Sequence, residues 1–327
     1  MKAELSSKLS YKSSVSALAV LSVICGISTS FLGVIAMPLG AAILAVLMIY
    51  SKRIYIPALA SSAILALNTV IGVLQGEYIP LLSIETILFA VIIAFAYRKG
   101  TTKGETAFWL TALASFMIVF TLILEAVYAT GEVSLSAIKD YYLEIYSAFK
   151  NEFINVLTGM TTSLGNGSSE VMINPDDAEL IFNSLVNSLI SLVIILGFLI
   201  TGVTFKVFSA IVGHLDKEPT TIYNWRFYTP NSFVYFFIGV LALSLFVGTG
   251  TDAFSVTVAN LNTVLTAVYA YIGFNYVSVM LSGFRRPRLM RIFLIIALFF
   301  ATSIAFSILS IFGIVFTLIN NKINSNS

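Results

Sequence analysis

Two carboxylates fall inside long apolar stretches: Glu85 within LLSIETILFAV and Glu125 within TLILEAVYA. An ionisable group in such a setting is costly, so it marks a ligand site, an ion path or a structural partner rather than a solvated surface. The chemistry open to both is binding a cation or a ligand's amine, or a structural role as the protonated acid. Asparagines accompany them. Asn68 lies in one apolar stretch, and Asn183 and Asn187 stand one turn apart at the start of another. Asn260 and Asn262 open a further stretch, and Asn275 lies deeper in it. An amide there either touches a ligand or hydrogen-bonds a second helix, an interaction worth about 1 kcal/mol. Glu85, Asn68, Glu125, Asn183, Asn187 and Asn260 are therefore the candidate ligand-binding residues. Catalysis has little to work with. The chain has one histidine, His214, and one cysteine, Cys25. That is too few for a transition-metal site or for most nucleophile–base pairs. No HExxH, GxSxG, Walker A or GxGxxG pattern is present. The expectation is a protein that is not an enzyme and uses no cofactor or metal.

The elements that carry these residues must be membrane spans. Of 327 residues, 58% are hydrophobic and 10% charged. An ordinary soluble domain is about 45–50% apolar and about 25% charged. A crossing needs about 20 apolar residues, which places spans near 14–32, 33–50, 55–75, 79–97, 106–128, 186–207, 231–249, 254–281 and 290–318. The apolar run from 14 to 50 is too long for one crossing, and Gly33, Pro38 and Gly40 predict a hairpin there. The run is also too long for a cleavable leader. With the N-terminus cytoplasmic, the inside segments hold 15 of the 18 Lys and Arg residues. Loop 129–185 then faces out, with Lys139 and Lys150 against eight acids. This is the expected bias of basic residues to the cytoplasmic side. The predicted fold is all-α, a polytopic transmembrane helical bundle of about nine spans with a cytoplasmic N-terminus. A multi-pass protein of the bacterial cytoplasmic membrane is expected, with the lipid bilayer as its first partner. No basic soluble domain is available for nucleic acid.

Three further features concern partners. Ser22, Gly26 and Ser30 form a small-residue face on the first span, suited to close packing by another span or by a partner subunit. Four of the seven arginines, Arg285, Arg286, Arg288 and Arg291, crowd around Pro287. With Trp225 they are the candidates for cytoplasmic anchoring beside anionic headgroups, or for docking. In the outer loop, Leu135, Ile138, Tyr142, Ile145, Phe149 and Phe153 recur at helical spacing and predict an amphipathic helix over 134–157. It either lies on the outer leaflet or forms a lid. Asn174-Pro-Asp-Asp starts a second helix that leads into the next span. The topology has a direct test. A cysteine at Gly165, in a Cys25→Ser background, is expected to react with an impermeant maleimide in intact cells. One at Pro287 is expected not to react, and the reverse pattern refutes the orientation.

The segment Tyr223-Asn-Trp-Arg-Phe-Tyr-Thr-Pro230 leads into a span, followed by Tyr269-Ala-Tyr-Ile-Gly-Phe-Asn-Tyr276, the basic turn Phe284–Arg291 and Phe312-Gly-Ile-Val-Phe316. This order resembles the YybS-like family of bacterial membrane proteins. The first five spans, with basic turns after Tyr50 and Tyr97, resemble the same family's N-terminal half. That half is similar to the substrate-binding S subunits of energy-coupling factor (ECF) transporters. The resemblance implies residues 1–128 as an S-subunit-like bundle, 129–185 as an extracellular loop with amphipathic helices, and 186–327 as C-terminal transmembrane helices. It implies a small-molecule ligand, and as partners a membrane scaffold subunit and ATPases. The scaffold contact carries over to the Ser22, Gly26, Ser30 face. A non-transporting structural or interaction protein of the envelope or of sporulation, and a self-sufficient permease, remain alternatives.

Overall fold

A computed structural model describes residues 2–75, 80–101, 103–163, 174–215, 229–247, 252–281, 292 and 302–325. All regular structure among them is helical. In chain order the helices are α1 (Lys2–Ile27), α2 (Thr29–Leu32), α3 (Met37–Tyr50), α4 (Tyr55–Gln75), α5 (Leu81–Lys99) and α6 (Lys103–Thr130). They continue as α7 (Leu135–Ser163), α8 (Pro175–Asn187), α9 (Leu189–Leu215), α10 (Asn231–Val247), α11 (Ala253–Met280) and α12 (Thr302–Ser325). Among the described residues, six stretches are long and apolar enough to cross a membrane: Ser14–Ile35, Tyr55–Leu74, Leu81–Lys99, Gly104–Thr130, Leu189–Gly213 and Ala253–Ser278. Met37–Tyr50, Asn231–Val247 and Ala305–Ile319 are shorter apolar helices. The protein is a polytopic helical membrane protein. Among the described residues the last expected span, 290–318, is represented by α12, which starts at Thr302.

The chain forms two units that interleave along the sequence. One comprises Met1–Met117, Ile194–Val234 and Ala267–Ser327; the other comprises Ile118–Val193 and Tyr235–Thr266.

In the first unit the long N-terminal apolar run breaks where glycine and proline allow. After α2, Gly33 takes φ +57°, open to glycine without a Cβ penalty, and Pro38 sits in the first turn of α3. The chain then doubles back, so α1 and α3 form a hairpin. Met37, Pro38 and every residue from Gly40 to Leu47 are buried. A helix that is apolar all round belongs in an interior, and α3 is the axis on which α1, α4 and α5 pack. The α3 and α5 helices run parallel. At one end a Cβ on Gly40 would sit 3.3 Å from Thr86 Cγ2. At the other, Arg98 Nη2 donates to Met48 O at 2.6 Å, supplying a cation to the C-terminal carbonyls of α3. The core extends to α6 through Ala107, Leu110 and Ala114 and to α9 through Ile200, Phe205 and Phe208. The α11 and α12 helices cross backbone to backbone. A Cβ on Gly273 would lie 1.9 Å from Leu309 O, and one on Gly313 2.0 Å from Tyr269 O. Tyr276 and Phe316 stack one turn on, with ring centres 4.3 Å apart.

In the second unit α7 and α8 pair around Phe182, which meets Tyr146, Phe149 and Phe153. The α7 helix runs from Leu135 to Ser163, longer than the 134–157 predicted. Lys150 Nζ bonds Glu179 Oε1 at 2.5 Å, and this hydrogen bond raises the Lys150 pKa. Asn174 precedes α8 in extended backbone, with Pro175 first and Asp176 and Asp177 in the first turn, but its side chain makes no capping bond. The α8 helix does not run straight into α9: the two meet at Ser188.

Candidate functional site

Asn68 is the polar hub of the first unit, and its partners come from helices distant in sequence. Its Nδ2 donates to Gly26 O at 2.9 Å and to Ser83 Oγ at 2.6 Å, and its Oδ1 accepts from Ser30 Oγ. Thr29 Oγ1 also donates to Gly26 O, at 2.7 Å. Asn68 thus ties the C-terminal end of α1, the residues after it and the first turn of α5 to α4. All of its described bonds are to protein groups.

Ser22 and Gly26 are buried, and the close neighbour of Gly26 is α4 of the same chain. A Cβ there would come within 2.6 Å of Ile64, itself fully buried. Of the two neighbours expected for the small-residue face, the internal one occupies it at Gly26 and Ser30. Between α1 and α4 a separate surface groove of about 430 Å³ is lined by Val20, Val23, Ile24, Ile56, Leu59 and alanines. It is apolar and includes neither Asn68 nor Glu85.

Glu85 stands one turn into α5, four residues after Leu81 and therefore about 6 Å along the axis. It is 5% exposed, and its Oε1 has no hydrogen-bond partner among the described residues. Its sequence neighbours in the polar patch are Ser83, 2% exposed, and Thr86, fully buried. Ser83 faces Asn68, and Thr86 Oγ1 donates to Leu82 O at 2.6 Å. Glu85 is thus a buried carboxylate with an unsatisfied oxygen beside a satisfied hydrogen-bonded knot.

The remaining candidates lie in the second unit and do different work. Asn260 Oδ1 accepts from Ser191 N at 3.1 Å, and its Nδ2 donates to Asn187 O at 2.7 Å and Val256 O at 2.9 Å. It stitches the α8–α9 joint, holding a carbonyl and an amide that the helix break leaves over. Asn187 contributes its backbone to this stitch, and its side chain is exposed. Asn183 Oδ1 accepts from Tyr146 OH at 2.8 Å, joining α8 to α7. Glu125 is exposed. It lies near the Tyr142 phenol, which donates to Leu122 O at 2.6 Å. Burial, then the Glu125 charge, then Tyr141 push the Tyr142 pKa up. Arg285, Arg286, Arg288, Arg291 and Trp225 lie outside the described residues.

The residues suggested by polarity alone therefore separate by partner. Asn68, Asn183 and Asn260 have protein partners, whereas Glu85 retains an unsatisfied oxygen. Sequence reading passed over Ser83, Thr86 and Tyr146. The first two were visible as hydroxyls flanking a carboxylate in an apolar helix; Tyr146 had no such signal.

A family model described as "Predicted membrane protein (DUF2232)" matches residues 17–315. The chain belongs to this family. The match takes in all the candidate ligand residues, the Asn68 knot and the Gly273–Gly313 crossing. No curated protein and no solved structure matches the chain.

Proposed function

We propose that this member of the family is a small-molecule-binding component of a membrane transport system. In this reading it resembles an S subunit of an ECF transporter, works with a scaffold subunit and ATPases, and resides in the bacterial cytoplasmic membrane. One observation carries the reading: the Glu85 carboxylate, 5% exposed and with an unsatisfied oxygen. A protein that only needed to pack would fill this position with an apolar side chain, because an unpaired polar group away from water costs stability. Ionisable groups kept inside membrane bundles usually serve a ligand, an ion or a proton.

The test is extraction of the tagged protein from its native membrane in mild detergent, followed by mass spectrometry of retained proteins and metabolites. Scaffold and ATPase subunits are expected, together with a metabolite that Glu85→Gln retains at less than a tenth of the wild-type amount. Preparations with neither subunits nor metabolite, or equal retention in the two proteins, refute the proposal.

A second reading, a non-transporting interaction protein, has its own observation. The α7–α8 hairpin leaves Leu135, Phe149 and Leu180 more than half exposed, at 87%, 62% and 64%. Recovery of an envelope protein in place of ATPases would favour it.

A further inference from the structure

The apolar groove between α1 and α4 has a form and a charge at its end that the residues around Asn68 do not use. Ala19 on α1 and Ala60 and Ala63 on α4 line it together with Val20, Ile24 and Leu59, which are more than half exposed. The short side chains leave about 430 Å³ between the long ones, within the range of about 300–1,000 Å³ usual for small-molecule sites. One end is blind. The lining stops at Ile24 and Ala63, and just beyond them the two helices meet. A Cβ on Gly26 would lie 2.6 Å from Ile64, and Ser30 bonds Asn68 a turn further on.

The other end reaches Ile56, one turn after Arg53: the Ile56 N–H donates to Arg53 O at 3.1 Å. Arg53 and its neighbour Lys52 are exposed. Arg53 Nη1 donates to Tyr55 OH at 2.5 Å, which uses one of the five donors of a guanidinium. Helices α3 and α4, and α1 from Ser13 onward, contain no acid. Nearer its N-terminus α1 holds Lys2, Lys8 and Lys12 against one acid, Glu4. This is the end that the bias of basic residues assigns to the cytoplasm.

Length separates the candidate occupants. From Ile56 to Ala63 the groove follows α4 for about 10 Å. The hydrocarbon core is about 30 Å thick, so one leaflet supplies about 15 Å of it. A partner's crossing helix would need a face running the whole depth, whereas this groove closes within one leaflet. An acyl chain entering from the basic end fits that depth, and its phosphate then lies at the level of Arg53 and Lys52. A zwitterionic headgroup has no net charge for these two cations to match; an anionic one has. We propose that the α1–α4 groove binds one anionic phospholipid, with an acyl chain between the helices and the headgroup beside Arg53 and Lys52. The site is separate from Glu85 and does not depend on the transport reading.

The test uses the purified full chain in detergent. Phosphatidylglycerol or phosphatidylcholine with identical acyl chains is added in steps, and bound lipids are counted by native mass spectrometry. One phosphatidylglycerol is expected to bind about tenfold or more tightly than phosphatidylcholine, and the double variant Lys52→Gln, Arg53→Gln to lose that preference. Ala63→Leu fills the groove with both cations kept, and is expected to weaken phosphatidylglycerol by a similar factor. Ala19→Leu fills it from α1 and takes its place if Ala63→Leu does not fold. Equal affinity for the two lipids, a preference that survives the double variant, or undiminished binding to the filled groove overturns the proposal. Glycerol phosphate, a headgroup without chains, is expected not to displace the lipid at equal concentration; displacement would assign the basic end to a free phosphate and overturn the acyl seat. In native membranes a photoreactive side chain at Leu59 is expected to couple to lipid. A protein adduct in its place would mean that a partner subunit fills the groove, and would also overturn the proposal.

Discussion

Gly313→Ala is expected to destabilise the protein by about 3 kcal/mol or more, at the upper end of what overpacking costs. The added methyl would sit 2.0 Å from Tyr269 O and 2.9 Å from Tyr269 C. Both are backbone atoms, so no side-chain rotation relieves the clash, and α11 and α12 must move apart. Separation would open the Tyr276–Phe316 stack and expose the packed faces of both helices. Gly273→Ala is expected to act alike, since its methyl would meet Leu309 O at 1.9 Å and Gly313 N at 3.0 Å. Gly239→Ala in α10 is the control. Nothing lies within 4 Å of its added Cβ, and Ala exceeds Gly in helix propensity by about 0.8–1.0 kcal/mol. Thermal unfolding in detergent, with size-exclusion profiles, reads all three. A wild-type midpoint for Gly313→Ala would mean that the two backbones do not cross here.

Asn68→Leu is expected to cost about 2 kcal/mol. The substitution nearly preserves shape and removes bonds to Gly26 O, Ser83 Oγ and Ser30 Oγ together. Measured interhelical hydrogen bonds in a membrane average about 0.6 kcal/mol and reach about 1.7, so three lost at one site should be clearly resolved. Ser83→Ala removes one of them and should cost less. The double variant should cost less than the two single effects added, because both remove the same bond. Full additivity would show that Asn68 and Ser83 do not interact, and a wild-type midpoint for Asn68→Leu would show that the knot contributes nothing.

Length and composition made the spans legible, and α4 falls on the predicted 55–75. Glycine and proline made the hairpin legible too, because Gly33 and Pro38 act through local backbone geometry. The interior role of α3 was harder to see. An all-apolar helix has no stripe to show which face is buried, and α3 leaves only Leu39 exposed. The polar positions were readable and their partners were not. Asn68 finds Gly26 and Ser30 across about forty positions, and Asn260 reaches back to Asn187 and Ser191 across about seventy. Residue type says that a buried amide needs a partner. It does not say whether that partner is a helix or a ligand, and for Asn68, Asn183 and Asn260 helices provide one. Gly273 and Gly313 stood in the segments that carried the family resemblance, yet nothing local marked them as a pair. Glu85 was the more readable case, since a lone carboxylate in an apolar helix stands out without knowledge of its neighbours.

The buried α3 has a consequence for how this protein meets bilayers of different thickness. At fourteen residues it spans about 21 Å, well short of a hydrocarbon layer of about 30 Å. A lipid-facing helix that short would force the bilayer to thin around it. Sheathed by α1, α4 and α5, it never meets that demand, and the match falls to those longer outer helices, which can tilt. Its own length is then set by what it separates: a polar patch at one end and the Arg98-capped carbonyls at the other. A thicker or thinner membrane would tilt the sheath and leave that spacing unchanged.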